Sequence, residues 1–346
     1  MYKQRVKEAI EAFKNGEMII IMDDEDRENE GDLVYAGIFS TPQKVNFMAQ
    51  EARGLICVSL TQELANRFEL TPMVSCNDSN HCTAFTISID AREATTGISA
   101  FERDMTIRLL CDPQASARDF VRPGHIFPLV AKEGGVLVRT GHTEASVDLC
   151  KIAGIAPIAV ICEMMKEDGS MARRGDKFLV DFAHKHQLKI LYISDLVQYR
   201  LAYENLLSPQ PPIPSTLLGK ECQRIDYVDH LQRTHSVFVF DTSRVSSQPL
   251  VKFFHIGKDV DFLSDLRAYQ SLVGAMELIS KDWGVLIFLQ TQNELKGKEF
   301  GIGAQILKSL QISDFRFISS KKEVSQMGFG GFGVNITEVI ALGENL

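Results

Sequence analysis

The sequence lacks several features that define whole classes of protein. No segment reaches the roughly 18 consecutive apolar residues of a transmembrane helix, and the longest candidate, residues 152–162, is interrupted by Pro157. Basic residues are in the minority, 37 against 45 acidic ones, and the net charge of −8 disfavours nucleic-acid binding. The seven cysteines form no CxxC pair. We therefore expect a cytoplasmic protein with reduced thiols, and neither a membrane nor a nucleic acid as its partner.

The chain does contain enough apolar material for two folded cores. Its length of 346 residues suggests about two domains, and 45% hydrophobic with 24% charged residues is ordinary for a globular protein. Apolar runs of strand length, such as residues 18–22 and 285–289, alternate with helical patterns, such as residues 178–186. This alternation predicts an α/β or α+β fold with many strands.

A proline-rich segment interrupts the alternation. Four prolines fall between residues 208 and 214, and proline disfavours both a helix and a central strand. We place a linker at residues 208–218, which divides the chain into domains at residues 1–207 and 219–346. The alternative is a long rigid loop within one domain.

The most unusual segment is residues 23–32, which carry seven carboxylates and one arginine. They directly follow the apolar run 18–22, so we expect an acidic loop at the end of a buried strand. Such a loop suits a divalent cation or proton transfer, although many acidic runs are only solvated surface. An EF-hand is excluded because Gly37 stands where its last ligand, a glutamate, is required.

Two motifs, RPGH at residues 122–125 and RTGH at residues 139–142, place an arginine and a glycine before a histidine. A single histidine is more often structural than catalytic, but two such motifs 17 residues apart favour a function. The glycine permits a close approach of the backbone to a ligand. Arg139 and Thr143 offer a guanidinium and a hydroxyl group that suit a phosphate monoester.

Glu163 is a further candidate because it directly follows the apolar run 155–162. A carboxylate at the end of a buried strand can have a raised pKa and act as a general base. The alternative is an ordinary acidic residue in a loop.

Four segments together resemble the 3,4-dihydroxy-2-butanone 4-phosphate synthase family of riboflavin biosynthesis: DDEDRENEGDL, RPGHIFPL, RTGHTEASVDL and EDGSMAR. They occur in the family's order and spacing, within residues 1–205. The resemblance implies a mixed-sheet α/β fold and a lyase that depends on Mg²⁺ or Mn²⁺. It implies conversion of D-ribulose 5-phosphate to L-3,4-dihydroxy-2-butanone 4-phosphate and formate. It also implies a homodimer through this domain, with active sites near the subunit interface.

The resemblance assigns roles to individual residues. It implies that Glu28 and His142 bind the metal, and that His125 and Glu163 are essential for catalysis. Which of these last two is the acid or the base at each step stays open. The positions that the resemblance implies in substrate binding are Arg27, Glu28, Asp32, Arg139, Thr140, Gly141, His142, Thr143 and Glu163.

Other positions of the first half have a weaker connection to the family's site. Cys57 and residues 95–99 match segments that line it. Five acidic residues of the loop receive no individual role: Asp23, Asp24, Glu25, Asp26 and Glu30.

The second half resembles GTP cyclohydrolase II, in the segment FGIGAQIL at residues 300–307 and in the order of its elements. That family binds Zn²⁺ through three cysteines, and the corresponding stretch here, residues 254–269, has none. The family's RQEGRGIGL loop is also replaced, by residues 290–297. Because this tetrahedral zinc site requires thiolates, we expect a smaller α/β domain without zinc and without GTP cyclohydrolase activity.

Two other functions stay open at this point. One is a non-catalytic scaffold or regulatory protein, and the other is a phosphosugar isomerase or aldolase. Release of formate from ribulose 5-phosphate separates both from the lyase.

Overall fold

The computed structural model describes residues 2–24, 27–81, 83–241, 246–256, 266–290, 297–319 and 334–342. The chain divides into two compact units, residues 1–199 and 200–346. None of the helices in the described ranges is long and apolar enough to cross a membrane.

The first unit alternates short strands with helices. Its strands are β1 (Ile19–Met22), β2 (Gly31–Ala36), β3 (Cys57–Leu60), β4 (Ile89–Ala91), β5 (Phe120–Val130), β6 (Ile158–Glu163) and β7 (Lys189–Tyr192). Its helices are α1 (Tyr2–Lys14), α2 (Pro42–Phe47), α3 (Gln62–Arg67), α4 (Ala100–Cys111), α5 (His142–Ala153), α6 (Lys177–His186) and α7 (Ile193–Tyr203), the last of which extends into the second unit. Short 3-10 turns lie at Gly37–Phe39, Ala117–Asp119 and Gly135–Leu137, and a π-helical turn lies at Met48–Ala52.

These strands form one mixed sheet in the order β4-β5-β3-β6-β2-β1-β7. The pairs β3–β5 and β1–β7 are parallel, and the other pairs are antiparallel. The isoleucines of β1 are buried on both faces of the sheet, which suits β-branched side chains in a covered strand. The predicted mixed-sheet α/β fold is confirmed.

The two faces of this sheet have different roles. Side chains alternate between the faces, and the face that includes Leu33 and Tyr35 packs in a core with α2, α4 and α6. The opposite face carries Asp32 and Ser59 and is covered by α5. Ser59 Oγ lies 2.7 Å from Ser146 Oγ of α5. The polar end of β2 therefore lies on the same face as α5.

The second unit is built on another mixed sheet. Its strands are β8 (Leu207–Pro209), β9 (Ile213–Leu217), β10 (Lys220–Asp229), β11 (Thr234–Asp241), β12 (Leu250–Ile256), β13 (Trp283–Gln290), β14 (Asp314–Ser319) and β15 (Asn335–Ala341). Its helices are α8 (Leu266–Ser280) and α9 (Gly297–Ser309). The strand order is β15-β14-β12-β13-β11-β10-β8, and β9 also pairs with β10. Side chains of β12 and α8, including Phe254, Leu272 and Met276, share its core.

The predicted linker at residues 208–218 is not a spacer, because most of it belongs to this second sheet. Leu207–Pro209 and Ile213–Leu217 both pair with β10. Proline has no N–H to donate but is tolerated in edge strands, and both segments lie along the outer edge of β10. The division between the units also comes earlier than predicted, within α7.

Candidate active site

One end of the first sheet brings several of the predicted residues into a single row. Asp32 on β2 lies directly opposite Glu163 on β6. The next strand, β3, pairs with both β6 and β5, and its Cys57 lies opposite Phe127. His125 precedes Phe127 by two residues and therefore points to the same face. The pairing of the strands thus aligns His125, Glu163 and Asp32 along this end.

The acidic loop follows β1 at this same end and is organised around Asp23. The buried carboxylate of Asp23 accepts hydrogen bonds from Arg27 Nη1 at 2.7 Å, Glu28 N at 3.1 Å and Glu30 N at 2.8 Å. Arg27 also bonds to Glu28, with Nη2 at 2.9 Å from Oε1. Asp24 forms an ion pair with Arg174 at 3.5 Å. Asp23 and Arg27 together fix the course of the loop and the position of Glu28.

Two other acids of the predicted acidic loop cannot be placed in this arrangement. Glu25 and Asp26 lie outside the described residues.

The loop meets the first residue of α5, His142, in a cluster of possible metal ligands. Ligand atoms of Asp23, Glu28 and His142 all lie within 4.8 Å of one another. His142 Nδ1 is 3.9 Å from Glu28 Oε2, and His142 Nε2 is 3.7 Å from Asp32 Oδ1. Asp32 Oδ1 is buried, and none of the described residues forms a hydrogen bond with it. Carboxylate oxygens with one imidazole fit Mg²⁺ or Mn²⁺, which prefer hard ligands.

The electrostatics of this cluster favour protons or a bound cation. Burial raises the pKa of Asp32 well above its ordinary value, and the negative charges of Glu163, Glu30 and Glu28 raise it further. Burial and the same crowding raise the pKa of Glu30 to about 7. Burial lowers the pKa of His142. The lower pKa favours the neutral form of the imidazole, which is the form that binds a metal. Like charges gathered in a buried site are relieved by a cation or by protonation.

Glu163 is held by the backbone of the turn that precedes β3. Its Oε2 accepts a hydrogen bond from Leu55 N at 2.9 Å. Gly54 packs directly against it, since a Cβ at Gly54 would lie 2.3 Å from the Glu163 carbonyl oxygen. Burial raises the pKa of Glu163. The neighbouring Cys57 is buried too, and burial raises the pKa of its thiol.

The RTGH motif forms the start of α5. Thr140 and Gly141 immediately precede the helix, and His142 and Thr143 are its first residues. The first backbone N–H groups of a helix have no acceptor within it, and its N-terminus carries partial positive charge. This end of α5 is therefore suited to an anion such as phosphate.

Arg139 lies beside this helix end but is already engaged. Its Nη1 donates to Glu144 Oε2 at 2.7 Å, and its Nη2 donates to His81 O at 3.1 Å and Thr83 Oγ1 at 3.2 Å. Gly141 leaves room for it, because a Cβ there would lie 2.3 Å from Arg139 Nη1. Within the described residues no hydrogen bond or ion pair joins Arg139 to the acidic loop.

His125 has a partner of its own, Asp90, the middle residue of β4. His125 N donates to Asp90 Oδ1 and His125 Nδ1 bonds to Asp90 Oδ2, both at 2.8 Å. Across the described part of the chain, no hydrogen bond or ion pair links His125 with Glu163 or His142. The site therefore contains two groups of side chains along one end of the sheet, one around His142 and the other around His125.

Comparison with known proteins assigns this arrangement to a family. A model of the 3,4-dihydroxy-2-butanone 4-phosphate synthase family matches residues 7–199, which is more than half of the chain and includes every residue of the site. The chain belongs to this family. The resemblance inferred from the four sequence segments is confirmed, and with it the enzyme class, a lyase.

Individual synthases match the chain over different lengths. The 3,4-dihydroxy-2-butanone 4-phosphate synthase of Helicobacter hepaticus is 59% identical over 355 residues, covering 98% of this chain and 99% of that protein. The crystal structure of RibBX, a two-domain synthase from A. baumannii, matches with 34% identity and a TM-score of 0.81 over 99% of this chain and 100% of that one. A synthase crystallised with two magnesium ions is 41% identical, with a TM-score of 0.54, over 57% of this chain and 97% of its own.

Three residues around this synthase site had no predicted role: Asp23, Asp90 and Glu144. Asp23 was one of several acids in a row, and its hydrogen bonds depend on how the loop folds back. Asp90 follows the alternating segment FTISI at residues 85–89, which lacks the continuous apolar run that singled out Glu163. Glu144 lies within the RTGHTEASVDL segment, but only the structure shows that it holds Arg139.

Proposed function

We propose that the first unit converts D-ribulose 5-phosphate to L-3,4-dihydroxy-2-butanone 4-phosphate and formate, a step of riboflavin biosynthesis. The observation that supports this best is the meeting of Glu28, His142 and Asp32 at the end of the sheet that also carries Glu163. The reaction enolises a ketose phosphate, shifts a carbon–carbon bond and releases a one-carbon fragment. It requires successive proton transfers and stabilisation of negative charge on neighbouring oxygens.

The substrate phosphate binds at the start of α5 in this proposal. His142 and Thr143 begin the first turn, whose N–H groups have no acceptor within the helix, and Arg139 adds a guanidinium that suits phosphate oxygens. Glu144, only 1% exposed, holds that guanidinium next to the helix end. The sugar oxygens then face Arg27, Glu28 and Asp32, and Glu163 borders the same space.

Glu28 and His142 are the proposed ligands of a divalent cation. The fit rests on the distances between the ligand atoms and on the buried Oδ1 of Asp32, which has no hydrogen-bond partner among the described residues. A bound Mg²⁺ or Mn²⁺ would polarise the substrate carbonyl, and the magnesium complex of the 41% identical synthase favours Mg²⁺. Asp23 lies close to both ligands, but it accepts three hydrogen bonds within the loop. We therefore assign it the role of holding the loop in its conformation.

Proton transfer is assigned to His125 and Glu163. Their surroundings differ, since the side chain of His125 is 42% exposed, while Glu163 is partly buried and burial raises its pKa. Two titratable groups in contrasting environments can exchange protons with a substrate in opposite directions. Both lie in the row of paired residues at the substrate end of the sheet.

We also propose that the chain forms a homodimer through the first unit. Helix α4 exposes Phe101 (70%) and Met105 (40%) one turn apart, and Ile98 just before the helix is 54% exposed. Contiguous apolar side chains of this size on a surface favour a protein interface. Gly97, next to Ile98, packs against the His125 ring. The interface would therefore lie close to the active site.

The second unit is proposed to lack zinc and GTP cyclohydrolase activity. Cys222 is the last cysteine of the sequence, and its thiol donates to Ser215 O at 3.5 Å within the β9–β10 pair. The stretches that would carry the zinc ligands and the RQEGRGIGL loop fall partly outside the described residues, at 257–265 and 291–296. We propose a role in stability, assembly or regulation for this unit.

The decisive assay is formate release from ribulose 5-phosphate by the purified full-length chain. We expect formate in the presence of Mg²⁺ and its loss on addition of EDTA. Isomerisation or cleavage without formate would support the isomerase or aldolase instead, and complete inactivity would support the scaffold. Zinc-dependent release of formate from GTP would contradict the proposal for the second unit. The cytoplasmic location and the absence of a nucleic-acid partner stay predictions from the sequence.

A further inference from the structure

We infer that Asp90 is a positioning residue that holds His125 in one tautomer, with Nε2 directed to the substrate. The inference rests on the proposed role of His125 in proton transfer. It adds a residue of β4 to the machinery of the first unit.

The two oxygens of Asp90 both bind the same residue. Oδ1 accepts the backbone N–H of His125, and Oδ2 lies 2.8 Å from the ring Nδ1. Asp90 is 6% exposed, and buried carboxylates require such partners. This double contact fixes both the backbone and the ring of His125, which a single surface ion pair does not do.

The surroundings of the pair leave little freedom for either side chain. Gly97 has a φ of +81°, and a Cβ there would lie 1.9 Å from Asp90 Oδ2 and 2.7 Å from His125 Nδ1. Gly124 lets β5 approach β4, since a Cβ there would lie 2.2 Å from Asp90 N. Glu102 fixes the loop around Gly97 by accepting its N–H at 3.1 Å. Glycines on both sides therefore allow the backbone to enclose the Asp90–His125 contact.

The chemistry of the contact selects one tautomer. An ionised carboxylate only accepts hydrogen bonds, so Nδ1 of His125 must carry the proton that points to Asp90. Nε2 of the neutral ring then holds a lone pair, and the ring's partial exposure leaves that nitrogen free to exchange a proton with a substrate. Asparagine would reverse this. The oxygen of the asparagine would accept the backbone N–H of His125, and its NH2 group would face Nδ1 of the ring. Because an NH2 group only donates, Nδ1 would have to accept with a lone pair, and the ring proton would move to Nε2.

The substitution Asp90→Asn tests this inference through activity. We expect kcat for formate release to fall about 100-fold, within the range that a misplaced general acid–base group produces, and KM to change less than about twofold. In the His125→Ala background the same substitution should change kcat little further, because Asp90 acts through His125. Asp229→Asn is the matched control: Asp229 Oδ2 contacts His235 Nε2 at 3.1 Å in the second unit, so this variant should keep wild-type turnover at temperatures where both units stay folded.

The tautomer of His125 provides a readout that is independent of any loss of folding. Long-range ¹⁵N NMR of the histidine-labelled wild-type chain, assigned with His125→Ala, should show the proton on Nδ1, and Asp90→Asn should show it on Nε2. The inference is overturned by an Nε2–H tautomer in the wild type. A wild-type kcat in the Asp90→Asn variant would also overturn it. So would a result in which Asp90→Asn lowers kcat by the same factor in the wild-type and in the His125→Ala background. A wild-type chain that releases no formate would instead remove the proposed function itself.

Discussion

Replacing Asp32 by asparagine should stabilise the first unit and at the same time remove its activity. Asp32 is 3% exposed, and in the described part of the chain its Oδ1 has no hydrogen-bond partner. Burial and the charges of nearby carboxylates raise its pKa well above the ordinary value. Asparagine has nearly the same shape and no charge. The substitution therefore removes an energetic cost without creating a cavity.

The sign and size of the effect follow from proton linkage. When a carboxyl has a higher pKa in the folded protein than in the unfolded chain, the folded state binds more protons between those two values. The free energy of unfolding then falls as pH rises above about 4, until pH passes the folded pKa. Asparagine keeps a polar oxygen at this position, so the gain comes from the loss of the charge, and one unit of pKa shift corresponds to about 1.4 kcal/mol. A gain of about 1–2 kcal/mol would raise the melting temperature by about 2–8 °C.

His142 gives the opposite trend, because burial lowers its pKa. Its contribution to stability is lost as pH falls below about 6.5, the value of an unperturbed histidine. His142 Nε2 lies 3.7 Å from Asp32 Oδ1, so the difference in stability between the Asp32→Asn variant and the wild type also includes any change in His142. Because the contribution of His142 is constant well above pH 6.5, the effect of the Asp32 charge should dominate at pH 8, and the difference should be larger there than at pH 5.5.

The assay is thermal unfolding in EDTA at these two pH values, with hydrogen exchange of β1 and β2 to follow the first unit. We expect the variant to melt higher than the wild type, with the larger gain at pH 8. Addition of Mg²⁺ should stabilise the wild type more and narrow the gap. A wild type that is more stable than the variant at both pH values in EDTA would refute this reasoning.

Three further predictions concern the metal, the phosphate and the second unit. Glu28→Gln and His142→Ala should each abolish formate release and weaken Mn²⁺ binding measured by EPR, with an unchanged circular dichroism spectrum; wild-type turnover in either variant would exclude these ligands. Gly141→Ala places a methyl group 2.3 Å from Arg139 Nη1, so KM for ribulose 5-phosphate should rise about tenfold, and an unchanged KM would remove Arg139 from the phosphate site. Hydrogen bonds to Asp229 outweigh its burial and lower its pKa, so Asp229→Asn should destabilise the second unit at pH 7. The difference should begin to shrink as pH falls below about 4, the pKa of an ordinary aspartate, and disappear only below the lowered pKa of the folded protein. Fluorescence of the single tryptophan reports this transition, and a difference that persists unchanged at pH 3 would contradict the linkage.

The sequence motifs singled out many residues of the candidate site because these residues lie at the ends of regular elements. The acidic loop follows β1, and His142 begins α5 after Gly141. Glu163 ends β6, opposite Asp32. The acidic loop and Glu163 were visible as changes from apolar to polar residues, and His142 was visible as part of the RTGH motif. The mixed α/β fold was visible in the alternation of apolar and polar segments.

The remaining features depend on contacts that no local pattern contains. The Asp90–His125 contact requires β4 to pair with β5, with a register shift after Ile89. The proline-rich segment was predicted as a spacer from its intrinsic preferences, but pairing with β10 determines its conformation. The hydrogen bonds of Asp23 likewise form only after the loop folds back. These features are therefore set by contacts between segments that are distant in the sequence, which local conformational preferences do not reveal.

The central claim is that this chain cleaves a five-carbon sugar phosphate into one-carbon and four-carbon products. Its most direct test is ¹³C NMR of uniformly labelled D-ribulose 5-phosphate incubated with the full chain and Mg²⁺. The account predicts labelled formate and a four-carbon ketose phosphate in equal amounts, and neither product with the Glu28→Gln variant. Only five-carbon products, or a two-carbon with a three-carbon product, would contradict it.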